Sequence, residues 1–257
     1  MLLNASAMKG YAIIAEDGEI GTVSDFFFDY ANWRVRWLVA DTDTGSIFSA
    51  RKVLLPPAAI TQTDADDRRI AVKLSMRQVR DSPKIESDQP PSSRTENGLH
   101  EYYGTYLAES GIAEGGRLGG PQPELAVAGH WPRDKDIAAV PPDDGDPHLF
   151  SIADASGYRV HASDGDIGHV EDYLLEEADW SIRFLVVDTK TLWSERKVLV
   201  SQRMVQQIDG AEKLITLHID RERVKNSPAY DPRVPVDTTF EAYYQSYYGG
   251  PQSDDPT

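Results

Sequence analysis

The sequence predicts a mainly β fold: two small β-barrels, each followed by short helices, arranged as a pseudo-two-fold tandem repeat. Three observations predict it. The segment from Gly10 to Thr42 recurs from Gly157 to Thr189 without a gap, at an offset of about 147, with roughly half the positions identical. Each copy is a series of short β-forming runs separated by turn residues. Between the copies, from about Ser110 to Pro147, breakers such as Gly115-Gly116, Gly119-Gly120-Pro121 and Pro141-Pro142 preclude a regular element.

The elements follow in order. Tyr11 to Ile14 is apolar, and Glu16-Asp17-Gly18-Glu19 comes next. An Asp-Gly step between two strand-like runs signals a hairpin, because glycine accepts the positive φ of a tight turn. Asp164-Gly165 repeats it. Thr22 to Tyr30 is the next strand, carrying Val23 and Phe26-Phe27-Phe28. Ala31-Asn32 makes the following turn and is echoed by Ala178-Asp179. Trp33 to Ala40 is almost continuous in β-formers, which suits a central strand with a neighbour on each side. Val53-Leu54-Leu55 and Val198-Leu199-Val200 are short strands, and Pro56-Pro57 ends the first. Ile70 to Leu74 and Leu214 to His218 alternate loosely. Ser75 and Asp220 occupy equivalent N-cap positions, each ahead of a short polar stretch that stops at Ser-Pro. Each unit is thus expected to hold five or six short strands and then a short helix. In a small domain that pattern indicates a closed or half-closed barrel, which removes exposed edges.

Two later segments, Leu99 to Leu107 and Phe240 to Tyr248, have aromatic spacing that fits a helix face. Tyr103, Tyr106 and Leu107 would share a face in the first, and Phe240, Tyr243, Tyr244 and Tyr247 in the second. Glu101-Tyr102-Tyr103 through Tyr106 reads as the counterpart of Tyr243-Tyr244 through Tyr247. Such helices would cover a barrel or bridge the two barrels. Tyr103, Tyr106, Tyr243, Tyr244 and Tyr247 are therefore candidates for interaction or for packing between repeats. The expected organisation is repeat 1 with its tyrosine-rich helix over 1–108, a Gly/Pro-rich linker over 109–149, repeat 2 with its helix over 150–248, and a disordered tail over 249–257.

Composition narrows the function classes. Hydrophobic residues make up 40% and charged residues 26%, as in folded soluble proteins, so global disorder is not expected. The formal net charge of -16 repels phosphate backbones and anionic headgroups, which argues against nucleic acid as a partner. There is no cysteine, which removes disulfides, thiolate metal sites and cysteine nucleophiles. Met1 to Lys9 lacks the basic and apolar regions of a secretion signal. No apolar run approaches the ~20 residues that span a bilayer. No membrane insertion and a cytoplasmic location are the expectation.

Chemistry-bearing patterns are sparse. The six histidines, His100, His130, His148, His161, His169 and His218, form no HxH or HxxxH pair. Asp41-Thr42-Asp43-Thr44-Gly45 opens like a calcium loop, but Lys52 stands at its twelfth position, so it reads as a turn. Asp64-Ala65-Asp66-Asp67 and Asp143-Asp144-Gly145-Asp146 are acidic loops of a kind that is usually only solvated. No nucleophile elbow, phosphate-binding loop or dinucleotide fingerprint is present. No catalytic residue, metal ligand or cofactor is assigned. Asp25 and Arg36, with Asp172 and Arg183, are the polar residues that recur inside strand-like runs. A structural ion pair within each barrel is favoured over a ligand-facing pair. Lys52 and Lys197, each after an arginine, make a local basic spot.

The ordered set Gly10-Tyr11, Asp17-Gly18-Glu19-Ile20-Gly21-Thr22-Val23, Asp25, Trp33, Leu38-Val39 and Arg51-Lys52-Val53-Leu54-Leu55-Pro56 resembles a PRC-barrel domain, and the second copy repeats it from Gly157 to Val200. That family includes the barrel of the photosynthetic reaction-centre H subunit and of a ribosome maturation factor. The trailing tyrosine segment is similar to that of soluble bacterial members. The resemblance implies a small barrel used as a docking surface and carries no shared catalytic residues. Two departures count. No long apolar N-terminal helix is present, against a membrane-anchored role, and no N-terminal domain of the ribosome-factor type precedes the first unit.

The expected function is a non-enzymatic protein-interaction or assembly module, with a small-molecule or metal-binding protein with a site between the barrels as the alternative. The expected partner is a protein. The copies are expected to pack as an intramolecular pseudo-dimer, with a homodimer as a further option. Specificity is expected where the copies differ: the Asp43 to Ser49 loop, the linker and the tail.

Overall fold

The computed structural model describes residues 1–42, 51–85, 89–109, 148–189, 196–232, 234, 236 and 238–249. The Asp43 to Ser49 loop, the linker from Ser110 to Pro147 with His130 and Asp143 to Asp146, and the tail after Gly249 lie outside the described residues.

In the first unit, β2 (Ala12–Ala15) and β3 (Gly18–Asp29) form the hairpin that Asp17-Gly18 closes. The sheet continues through β4 (Arg34–Thr42) and β5 (Arg51–Leu55). Pro56 cannot extend the ladder, and a 3-10 turn over Pro57–Ala59 redirects the chain. A second hairpin follows, β6 (Ile60–Asp64) and β7 (Arg69–Val72). The return of β7 is parallel to β2, with Ile70 opposite Ile13. Runs joined by tight turns suggest antiparallel neighbours only, so this long-range pairing is new. The resulting order is β6-β7-β2-β3-β4-β5, extended by β8 (Lys84–Ile85) on β5. The second unit repeats the plan. Its strands are β10 (Arg159–Ala162), β11 (Gly165–Glu176), β12 (Ile182–Asp188), β13 (Lys197–Ser201), β14 (Val205–Asp209) and β15 (Leu214–Leu217), in the order β14-β15-β10-β11-β12-β13.

Both caps fold as expected. Ser75 begins α2 (Met76–Arg80) with a capping box: its hydroxyl accepts from the Gln78 amide, and the Gln78 side chain accepts from the Ser75 amide. Asp220 begins α5 (Arg221–Lys225) and accepts from the Arg223 amide. The tyrosine segments are helices, α3 (Ser93–Glu109) and α6 (Thr238–Gly249).

The first strand of each sheet comes from the other unit. Ahead of β2 lie β1 (Leu2–Asn4) and α1 (Ala5–Met8), and ahead of β10 lie β9 (Leu149–Ser151) and α4 (Ile152–Ala155). β1 pairs with β11, Leu3 opposite Leu175, while β9 pairs with β3, Phe150 opposite Phe28. The two arms are exchanged reciprocally. Leu149, read from sequence as the end of the linker, is therefore part of a strand.

This exchange explains an unusual burial pattern. A half-buried strand alternates, yet Phe26, Phe27 and Phe28 are all buried, as are Tyr173, Leu174 and Leu175. One face of each run packs on its own barrel and the other meets the sister unit. The Phe28 ring lies 5.6 Å from that of Tyr173 and 6.1 Å from that of Phe150, both in the second unit. One apolar core runs through both units.

Glycine is obligatory at Gly21 and Gly168. Their φ values are 146° and 150°, and a Cβ there would lie 2.0 and 1.9 Å from the carbonyl oxygens of Asp41 and Asp188. The neighbouring strand crosses in contact with the bare backbone.

Candidate functional site

The distinctive surface of the protein is the junction between the units, and it is built twice over. A bulge at Ser24 bends β3 just before Asp25, and a bulge at Glu171 bends β11 just before Asp172. Each carboxylate then meets the arm of the other unit. Asp172 accepts from the hydroxyl of Ser6 at 2.5 Å and from the Ser6 amide at 3.0 Å. Asp25 accepts from the hydroxyl of Ser151 at 2.5 Å and from the Ala153 amide at 3.0 Å. The amides belong to the first turns of α1 and α4, which have no intrahelical acceptor, so each aspartate closes a short helix across the junction. Burial raises the pKa of both carboxyls above the ordinary value, and the bonds from the arm oppose that rise.

The hairpin ends interlock as well. Trp33 and Trp180 adopt left-handed backbone conformations, with φ of 57° and 56°. Bulky residues rarely do so, and here the surroundings hold them. The Trp180 carbonyl accepts from the Val35 amide at 2.9 Å, and the Trp33 carbonyl accepts from the Ile182 amide at 2.7 Å. The Tyr30 amide donates to His148, and the Glu177 amide to Met1, both at 3.0 Å. Some contacts break the symmetry, among them the bond from Tyr230 to Asn4. Arg34 pairs with Asp179 across the junction at 3.3 Å, and the position matching Asp179 is Asn32, which bonds locally to the Arg34 amide.

The expected Asp25–Arg36 and Asp172–Arg183 pairs are replaced by separate partners. The aspartates face the opposite unit. Arg36 lies 3.4 Å from both Asp29 and Glu96, and Arg183 lies 3.8 Å from Asp179. The bulges supply the reason: each turns its aspartate out of simple strand alternation and towards the incoming arm.

The tyrosine helices cover their own barrels. Tyr103 is buried, Tyr102 donates to the Gln78 carbonyl at 2.7 Å, and Tyr106 packs on Tyr102 with centroids 5.2 Å apart. In α6, Tyr244 is buried against Phe184 and donates to the Pro228 carbonyl, while Tyr248 donates to the Leu199 carbonyl. Tyr247 donates to the Arg223 carbonyl at 2.6 Å. Gln78 and Arg223 occupy the same place in their units, so Tyr102 and Tyr103 match Tyr247 and Tyr248. The pairing of Tyr102-Tyr103 with Tyr243-Tyr244 read from sequence is one helical turn out. Tyr243 is 59% exposed. Of the Tyr243-Tyr244 pair, Tyr244 is the one that faces the barrel.

Other recurring residues have structural work that sequence reasoning missed. Arg51 donates to the carbonyls of Arg80 and Ser82, and Arg196 donates to those of Lys225 and Ser227 at 3.1 and 2.5 Å. Each guanidinium clasps the end of the short helix where the chain turns into Ser-Pro. The recurrence of arginine with Ser-Pro in both copies was the available signal. Lys197 reaches Glu171 at 2.5 Å rather than standing as a free basic spot. In the first unit Trp37 donates to Glu96 at 2.7 Å, and the His100 ring lies 5.0 Å from that of Trp37. Burial, reinforced by Arg36, lowers the His100 pKa.

Asn4, Ser6, Glu171, Asp172, Lys197 and Tyr230 line a small cleft where the first unit's exchanged arm meets the second unit. Among the described residues no group of three or more histidine, aspartate or glutamate side chains is placed to hold a metal ion. The Asp64 loop is a turn in which the Asp64 carboxylate accepts from the Asp67 amide at 2.9 Å. His161 pairs with Asp166 at 2.8 Å on the surface. No helix of the described residues is long and apolar enough to cross a membrane.

Comparison with curated proteins finds no match. Residues 2–76 match the PRC-barrel domain family, from the exchanged strand β1 to the start of α2. The first unit of this chain is therefore a PRC-barrel domain, and the second unit repeats its strand plan, arm included.

Proposed function

We propose that this chain is a non-enzymatic assembly module that presents two PRC-type barrels, locked in one orientation, to a protein partner in the cytoplasm. The carrying observation is the difference between two otherwise matched helices. In α6, Tyr243 is 59% exposed beside the half-buried Phe240, and Val234 just before the helix is 56% exposed. By the register of the tyrosines, the matching positions of the first unit are Gly98, Thr95 and Gln89. The shared positions serve folding, whereas Tyr243 and Val234 stand in water where the first unit has Gly98 and Gln89, as an interaction site would require. Tyr243→Ser and Val234→Ser variants, compared with the wild type in affinity capture from the native lysate, test it. A partner retained by the wild type and lost by the variants supports the proposal; identical captures refute it.

A second reading rests on the cleft beside the arm, where Glu171, Asp172, Lys197 and Tyr230 converge between the units. It would suit a small polar molecule or a metal ion. A thermal-shift screen of metals and metabolites tests this, since a ligand that binds only the folded protein raises its melting temperature.

A further inference from the structure

We infer that a hollow of the second unit, where β13 turns into β14, is a binding site for a small organic monocarboxylate. It shares no lining residue with the cleft at the exchanged arm and does not include Tyr243 or Val234. It therefore stands or falls apart from both readings proposed above.

The hollow forms where the chain leaves β13. Ser201 ends that strand, and a 3-10 turn over Gln202–Met204 leads into β14. The Ser201 hydroxyl accepts from the Arg203 amide at 3.4 Å and holds the turn. Phe184, Met204 and Tyr248 line the hollow and are themselves buried. The Tyr248 ring is held in place by the bond from its hydroxyl to the Leu199 carbonyl at 2.7 Å. Arg183 of β12 and Arg203 of the turn complete the lining, so two guanidiniums share a space of about 70 Å3 with three buried rings and chains. Arg183 also reaches Asp179 at 3.8 Å. A guanidinium carries five donors in a planar fork and serves several acceptors at once.

The lining selects its ligand by shape, charge and size. A carboxylate presents two oxygens at the spacing of a guanidinium fork. The apolar part of the lining suits a carbon chain, whereas it gives the further oxygens of a phosphate no partner and so penalises their burial. Charge points the same way. The protein carries -16 overall and Asp179 stands beside Arg183, so a doubly charged anion is repelled more than a singly charged one. A cavity of about 150 Å3 admits benzene, so about half that volume admits a carboxylate on a short carbon chain. The first unit supplies the contrast. Its matching turn is Pro56-Pro57-Ala58-Ala59, with no hydroxyl, side-chain amide or guanidinium in place of Ser201, Gln202 and Arg203.

The experiment is a titration of the isotopically labelled full chain, followed by two-dimensional amide NMR. The probes are sodium propionate, its neutral analogue propionamide, and inorganic phosphate, at one ionic strength with sodium chloride as the blank. Propionate should shift the amides of Ser201–Met204 in a saturable way and leave those of Ala58 and Ala59 in place. Propionamide and phosphate should bind about tenfold more weakly or less. Arg203→Gln should weaken propionate about tenfold, the size of effect that one lost charge-assisted bond produces. Arg203 is exposed, and unmoved signals from the first unit report that the variant is folded. Arg203→Lys, which keeps the charge without the fork, should recover only part of the affinity. No saturable shift in the wild type overturns the inference whatever the variants do. Phosphate bound as tightly as propionate, or propionate bound unchanged by the folded Arg203→Gln variant, overturns it as well.

Discussion

Ser151, at the foot of the second unit's arm, donates its hydroxyl to Asp25 of the first unit at 2.5 Å, and Ser6 does the same for Asp172 in the opposite direction. The two hydroxyls come from unlike positions of their arms. Ser151 caps α4, while Ser6 lies inside α1, and the residue that matches Ser6 is Ala153. The chemistry was kept although the residue that supplies it moved. The junction therefore depends on the aspartates receiving a hydroxyl and an amide, not on one side chain.

Removing an aspartate should loosen one arm. Asp25→Ala or Asp172→Ala leaves a hydroxyl and a first-turn amide without their acceptor, at a cost of about 1–3 kcal/mol each. The sites lie on different elements, so the double variant should show the sum. Chemical denaturation measures this, and hydrogen exchange should rise first at Leu2–Asn4 or Leu149–Ser151.

The same residues should leave a trace in pH dependence. Burial holds both carboxyls above their ordinary value of 3.8. A carboxyl whose pKa is higher folded than unfolded favours the folded state while protonated. That contribution is complete below the unfolded value and is lost as pH rises through the raised folded values. Asp25→Asn with Asp172→Asn removes both titrations. In urea unfolding at a series of pH values from mildly acidic to neutral, the stability gap between wild type and variant should shift against the wild type as pH rises. Parallel curves would contradict it.

Gly21→Ala and Gly168→Ala should each be severe. A methyl group would sit 2.0 or 1.9 Å from a carbonyl oxygen of the crossing strand, on a backbone conformation that other residues rarely adopt. The cost should reach about 3 kcal/mol or more, with β3–β4 or β11–β12 pairing disturbed. Thermal melting checks it, and Gly104→Ala on α3, where a Cβ meets nothing within 4 Å, is the benign control.

Trp37→Phe copies the residue found at the matching position of the second unit, Phe184. It removes the donor that reaches Glu96 at 2.7 Å, and Glu96 is only 3% exposed. A buried carboxylate that loses a donor should cost about 1–3 kcal/mol. Faster exchange should be confined to α3, with β9 and α4 unaffected.

Arg51→Met and Arg196→Met should each cost about 1–2 kcal/mol, because two carbonyls at the end of a short helix lose a charged donor. Lysine should recover only part of it, since one ammonium cannot span both oxygens as the planar fork does. Denaturation of all four variants measures the difference.

Local patterns were legible in the amino-acid sequence wherever the determining chemistry lies within a few residues. Asp17-Gly18 closes its hairpin because glycine tolerates the turn, and Ser75 caps its helix because Gln78 stands three residues on. The duplication was legible for the same reason, since it is a comparison of one stretch with another. The tyrosine register was misread because two adjacent aromatic pairs in α6 offered two alignments, and only the contacts with Gln78 and Arg223 choose between them.

The sequence by itself determined two mainly β units, their turns and their helix caps, because these follow from backbone preferences and nearby side chains. Only the tertiary structure decided which unit each arm belongs to. Leu2-Leu3-Asn4 and Leu149-Phe150-Ser151 carry no local mark of their destination, and either sheet presents the same edge and the same aspartate. The choice is made by what the arms bury. Crossing over lets Phe26-Phe27-Phe28 and Tyr173-Leu174-Leu175 lose water on both faces at once, which a barrel standing alone could not give them.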